Sequence, residues 1–231
     1  MSDYRHELKY LVSQTEMLLL QSRISTIMCQ DSHVSESGSY RIRSLYFDDF
    51  NNRCYYENEN GTDPREKFRI RLYQNSTERI VLECKRKERG KTRKISSLLS
   101  IEQTEALMHG LLPGTDASPS LLQKMILQMQ LQLLHPVVIV EYERIPYVYR
   151  NGNVRVTFDV NLSASSDTGE FLSEKITRRP VMPKNLYLME VKYDEYLPDF
   201  IYNALNLKVL QQTAFSKYYI CRKLSLREGL R

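Results

Sequence analysis

The chain has 231 residues, 42% of them hydrophobic and 26% charged, which suits one large globular domain with an ample core. Its net charge of +5 is only mildly basic, and Cys29, Cys54, Cys84 and Cys221 lie far apart with no Cys-x-x-Cys pair, which excludes a zinc-finger pattern or a disulfide framework. With no N-terminal apolar h-region and no apolar run of about 18 residues, neither a secretory signal nor a transmembrane helix is expected. The reducing cytoplasm is then the simplest compartment, and a membrane-bound partner stays open.

In chain order, Ser13-Gln-Thr-Glu16 has capping-box spacing and opens a helix expected over Met17 to Cys29. Ser39 to Phe47 reads as a strand. Asn51 to Asn60 reads as a short helix stopped by Gly61. Strands over 66–74 and 78–88 are expected to join through Asn75-Ser76 as a hairpin, with another short strand from Arg93 to Leu98. Ser100-Ile-Glu-Gln103 is a second capping box, and Ser118-Pro119 opens a further helix to about Leu134. Val137 to Ile145 and Asn153 to Leu162 form strands around the tip Asn151-Gly152. Residues 163–184 form the longest loop, with room for one short strand. Leu186 to Tyr193 is a last strand, followed by helical segments near Pro198–Leu207 and Ala214–Leu224. The expected class is α+β: a closed antiparallel β-barrel with peripheral helices, in a single domain over 1–231.

The charge is concentrated. Residues 65–94 hold twelve Lys/Arg against four Asp/Glu, a local balance of +8. Lys67, Arg69 and Arg71 alternate with Phe68, Ile70 and Leu72, so at the strand period of two the cations share one face and the apolar residues the other. The alternation recurs at Arg41/Arg43, Glu83/Lys85/Lys87, Arg155/Thr157/Asp159 and Glu190/Lys192, against Ile42, Val156, Phe158 and Val191. A barrel with a charged interior and an apolar exterior under helices accommodates this pattern. Burying so many like charges costs several kcal/mol per ion without a counter-charge. A polyanionic ligand and interspersed carboxylates would offset that cost, and phosphate suits the pattern, since arginine donates bidentate hydrogen bonds to it and lysine adds point charge.

The ordered elements Arg5-His-Glu7-Leu-Lys9-Tyr10, Ser44-Leu-Tyr46-Phe47-Asp48, Lys67-Phe-Arg69-Ile-Arg71-Leu-Tyr73 and Glu83-Cys-Lys85-Arg-Lys87 carry a family resemblance. It continues through Tyr142-Glu-Arg144, Arg155-Val-Thr-Phe-Asp159, Glu190-Val-Lys192 and Phe215-Ser-Lys217-Tyr218. Together they resemble the triphosphate tunnel metalloenzymes, and within them the catalytic domain of the vacuolar transporter chaperone (VTC) polyphosphate polymerases in its free-standing bacterial form. The thiamine triphosphatase and class IV adenylyl cyclase branch resembles Glu-x-Glu-x-Lys at the first strand. Here those positions are Arg5, Glu7 and Lys9, which favours the VTC-like branch.

The resemblance implies that Lys9, Arg69, Arg71, Lys85, Arg144, Arg155 and Lys217 clamp the phosphates and carry catalysis. Arg41 and Arg43, sharing the inward parity, are expected to touch the far end of a polymer. Lys67, Lys87 and Lys192 join them as substrate-binding cations. Glu190 is the foremost metal ligand implied, with Glu7 and Glu83 secondary, for Mn²⁺ or Mg²⁺ held together with phosphate oxygens. Glu7, Glu83 and Asp159 could equally neutralise neighbouring cations. The four histidines, His6, His33, His109 and His135, have no ligand spacing, and no Ser/His/Asp or Cys/His set is present.

The implied activity is ATP-dependent: the γ-phosphate passes to inorganic polyphosphate or triphosphate, with positioning and charge stabilisation carrying the catalysis. The same residues could serve a tripolyphosphatase or nucleoside triphosphatase. A non-catalytic binder of polyphosphate or nucleic acid is the remaining alternative. Nucleic acid is not expected, because the apolar residues point away from the cations and acids lie among them. The sequence leaves the acceptor, the chain length and the oligomeric state open.

Overall fold

In a computed structural model of the chain, residues 5–35, 37–114 and 119–228 are described, Glu228 by its backbone alone. Ser118, expected at the start of a helix, lies outside them. The described residues form ten strands and six α-helices: β1 (His6–Ser13), α1 (Gln14–Ile24), β2 (Cys29–Gln30), β3 (Tyr40–Asp48), α2 (Arg53–Glu59), β4 (Arg65–Tyr73), β5 (Ser76–Glu88), β6 (Lys91–Leu99), α3 (Ile101–Met108), α4 (Ser120–Gln132), β7 (His135–Tyr149), β8 (Val154–Ser165), β9 (Arg179–Pro180), β10 (Leu186–Tyr193), α5 (Asp199–Ala204) and α6 (Lys217–Glu228).

The chain divides into two compact units, each built from three segments. The first comprises Met1–Arg41, Tyr142–Leu162 and Met182–Phe215, the second Ile42–Glu141, Ser163–Val181 and Ser216–Arg231. Strands β3, β7 and β8 run through both.

In the first unit β1 pairs with β10 and β10 with β8, both antiparallel, and β8 neighbours β7. Alternation along these strands sends Tyr10, Val12, Val156, Phe158, Met189 and Val191 into one core. Met17, Leu20 and Ile24 of α1 fill it from the helix side at spacings of three and four. The Ser13 hydroxyl accepts the Glu16 N–H at 3.3 Å, and the Glu16 carboxylate accepts the Ser13 N–H at 2.7 Å. The capping box is therefore complete. The helix stops at Ile24 rather than reaching Cys29, which instead pairs with Val148 in β2.

In the second unit the order is β7–β3–β4–β5–β6. Phe68, Ile70 and Leu72 of β4 and Leu82 of β5 are buried against Leu107 of α3 and Leu121, Leu122, Met125 and Met129 of α4. Each such side chain contributes about 1.5–3 kcal/mol by leaving water, and Ile70→Ala should cost about 2–5 kcal/mol. The β4–β5 turn falls on Gln74 and Asn75, with φ of 54° and 56°, one residue earlier than the sequence pattern suggested. Two successive positive φ values are what a tight hairpin requires, and Ser76 is already paired with Tyr73. The α+β antiparallel architecture expected from the sequence is present. Among the described ladders, β1 pairs only with β10 and β6 only with β5, so the hydrogen-bonded path has two ends.

Candidate functional site

Each unit has a charged sheet face opposite its core. In the second unit, register places Arg65 beside Lys87, Lys67 beside Lys85, Lys85 beside Lys94, and Arg69 beside Glu83. With Arg71 this makes seven cations and one carboxylate among the registered positions of that face. Glu83 is 1% exposed, and its oxygens are shared between Arg69 Nε at 2.6 Å and Lys94 Nζ at 2.8 Å, with Arg71 Nη1 at 3.6 Å. Burial alone would raise its carboxyl, but the three cations hold it far below the ordinary carboxylate range. Of the two roles open to Glu83 in the sequence, its surroundings are those of a counter-ion.

Tyr46 lies on the same face. Arg69 Nη1 donates to its hydroxyl at 2.8 Å. Burial would raise the phenol, yet Arg69, Arg71 and Lys217 bring it below its usual value. Lys217 is nearly fully buried at the start of α6. Lys67 Nζ sits 3.4 Å from the Ser216 hydroxyl and 5.2 Å from the centre of the Tyr218 ring.

The expectation for Arg41 and Arg43 is corrected. Ser44 pairs with Arg71 and Tyr46 with Arg69, whereas Arg43 pairs with Leu72. The even-numbered residues of β3 therefore share the cationic face, and Arg41 and Arg43 have the parity of the core-facing side. Arg43 is 1% exposed. Its Nε donates to Glu141 at 2.7 Å, and Nη1 donates to the carbonyls of Phe171, at 3.0 Å, and Ser173. Arg178 pairs with the other Glu141 oxygen. Arg43 is thus a buried tie between β3, β7 and the segment after β8.

The charged face of the first unit is balanced instead. Glu7 pairs in register with Lys192, Lys9 with Glu190, and Lys192 with Arg155. Arg144 grips Asp159 with two hydrogen bonds of 2.7 Å and reaches Glu190 at 3.3 Å. Lys192 Nζ donates to Glu190 at 2.8 Å, and burial lowers its ammonium despite Glu190 and Glu7. Lys9 Nζ donates to the Phe215 carbonyl at 2.7 Å and lies 3.5 Å from Glu7 and 4.0 Å from Glu190. Arg155 is held by Asp31 at 2.7 Å and the Tyr40 hydroxyl at 2.8 Å.

Two participants are not among the site residues expected from the sequence: Asp31 lies in a loop 124 residues from Arg155, and Tyr46, although part of a motif that carries the resemblance, shares the cationic face only once the register of β3 is known. Lys94 is fixed opposite Lys85, while Arg93 pairs with Arg86 on the reverse side.

No group of three His, Cys, Asp or Glu residues among the described residues is arranged to hold a metal ion. Mg²⁺ in phosphate-transfer sites commonly takes only one or two carboxylates plus substrate oxygens. Glu7 and Glu190, flanking Lys9, fit that kind of shared site and not a protein-only cage.

The VTC domain family model matches residues 4–226. The chain belongs to the VTC domain family. A solved structure described as a putative adenylate cyclase from Bacillus halodurans has a TM-score of 0.51 and 12% identity, covering 92% of this VTC domain and 95% of that chain. A Pyrococcus horikoshii protein aligns with a TM-score of 0.49 and 12% identity over 94% and 97% of the two chains. A conserved hypothetical protein from Pyrococcus furiosus aligns at 0.48 and 11% over 94% and 98%. No curated protein sequence matches significantly. The VTC domain has the triphosphate tunnel fold. No helix among the described residues is long and apolar enough to cross a membrane.

Proposed function

We propose that this VTC domain is a polyphosphate polymerase that moves the γ-phosphate of ATP onto a growing inorganic polyphosphate chain. The observation that carries this reading is the face of the second unit, where Arg65, Lys67, Arg69, Arg71, Lys85, Lys87 and Lys94 face one carboxylate. Such a row of fixed positive charge along three adjacent strands matches a linear polyanion better than a compact one. Lys67, Arg69, Arg71, Lys85, Lys87 and Lys217 bind phosphate oxygens there. Glu83 limits their mutual repulsion.

The first unit is assigned by its own chemistry. Glu190 and Glu7 would hold Mn²⁺ or Mg²⁺. The ion, when bound, neutralises charge on phosphate oxygens. Arg144, oriented by Asp159, and Arg155, oriented by Asp31 and Tyr40, present preorganised donors to developing negative charge. Lys9 and Lys192 keep the two carboxylates compatible with an anionic substrate. No protein nucleophile is required, because the acceptor's terminal phosphate oxygen is itself anionic.

Purified protein incubated with ATP and Mn²⁺ tests the reading. ADP together with a phosphatase-sensitive ladder of long polyphosphate is the expected product. ADP with free phosphate alone would replace the polymerase by a triphosphatase of the same fold.

A further inference from the structure

Asp48 is fully buried at the end of β3, and its carboxylate is used by three parts of the second unit. Oδ1 accepts the N–H groups of Asp49 at 2.9 Å and Cys54 at 2.8 Å. Oδ2 accepts the Tyr55 N–H at 3.1 Å and the Tyr218 hydroxyl. The Cys54 and Tyr55 amides belong to the first turn of α2, where a carboxylate is favoured by otherwise unpaired N–H groups. Asn52, the N-cap residue of α2, makes no side-chain cap bond, so Asp48 does that work together with Asp49, whose carboxylate accepts the Arg53 N–H at 2.9 Å.

The fourth donor is different in kind. Tyr218 is the second residue of α6, 1% exposed, with its ring 5.3 Å from the Tyr46 ring. Burial and the neighbouring carboxylate both push its phenol up, so it stays a protonated donor. Lys217 and Ser216 precede it in sequence, and Lys67 lies over its ring. The hydrogen bond therefore connects a strand anchored by α2 to the turn of α6 that supplies Lys217.

We propose that Asp48 and Tyr218 are positioning residues, whose hydrogen bond fixes the start of α6 so that Lys217 is held at the cationic face where phosphate binds. Neither touches the phosphate chain; both act through Lys217. This rests on the reading of that face as a phosphate site.

The test is a thermodynamic cycle on the full chain, with inorganic tripolyphosphate as the calorimetric probe. The proteins compared are the wild type, Tyr218→Phe, Lys217→Ala and the double variant. Tyr218→Phe keeps the ring, its tilted contact with Tyr46 and its contact with Lys67, and leaves Asp48 three backbone donors, so the fold is retained. It should weaken binding by about three- to tenfold, the worth of one hydrogen bond. Lys217→Ala should weaken binding at least as much. In the double variant the Tyr218→Phe effect should vanish, because there is no lysine left to position. A purely structural tyrosine would give effects that multiply, and that result overturns the proposal, as does unchanged binding in Tyr218→Phe. A wild-type protein that binds no tripolyphosphate overturns the phosphate-site reading and this inference together. Binding by the wild type with multiplying effects removes the inference alone.

Discussion

Arg69 and Glu83 are cross-strand partners on β4 and β5, and their side chains meet at 2.6 Å on a sheet face rich in cations. The acid is almost wholly buried and the arginine partly exposed. The arrangement makes separable predictions for its two members.

Replacing Arg69 with Ala should lower turnover about a hundredfold or more, as expected on removing a preorganised donor to developing charge. Glu83 keeps Arg71 and Lys94, so thermal unfolding should remain cooperative. Full activity in a folded Arg69→Ala protein would remove Arg69 from the site.

Glu83→Gln should act on stability instead, by about 3–5 kcal/mol, because it leaves buried cations without their counter-charge. The loss should be reduced by added tripolyphosphate, and denaturant titrations with and without it measure that recovery. The wild-type pH dependence follows from the same pair. Glu83 has its carboxyl depressed in the folded protein, so as pH falls the unfolded chain takes up its proton first. The contribution is complete well above the ordinary glutamate value of about 4.3 and declines progressively as the pH falls below about 5. Glu83→Gln should flatten this acid limb.

Arg43→Ala should destabilise by about 3–5 kcal/mol, since it removes the buried partner of Glu141, leaving that carboxylate to the half-exposed Arg178, and unties carbonyls of the segment after β8. Its phosphate affinity, measured below the unfolding temperature, should match that of the wild type. A loss of affinity without a loss of stability would return Arg43 to the phosphate face.

Glu190→Gln should reduce apparent Mn²⁺ affinity by about ten- to hundredfold in activity titrations. Binding of tripolyphosphate without metal should be retained, since a negative charge is removed. Equal Mn²⁺ dependence in both proteins would dismiss Glu190 as a metal ligand.

Much of the fold was legible because alternation is a local property. The bounds of β10 and both capping boxes coincide with the sequence pattern. The face assignment of β3 was not legible, for a physical reason. Period two shows which residues share a side but not which side is the core, and a buried arginine looks the same in sequence as a ligand-binding one. What distinguishes Arg43 is Glu141, 98 positions away, and carbonyls about 130 positions away. Asp31, which holds Arg155, was hidden for the same reason. On β4 and β5 the two sides were separable, because Phe68, Ile70 and Leu82 are too apolar to face the solvent side.

The excess of cations over carboxylate on the second unit also bears on the thermodynamics of association. In salt solution such a surface gathers a loose cloud of small anions, each confined at an entropic cost. A polymeric anion arriving there liberates many of them for the loss of one molecule's freedom, while a monovalent anion merely exchanges with another. Discrimination between a long phosphate chain and a single orthophosphate can therefore arise from mixing entropy as much as from any individual contact.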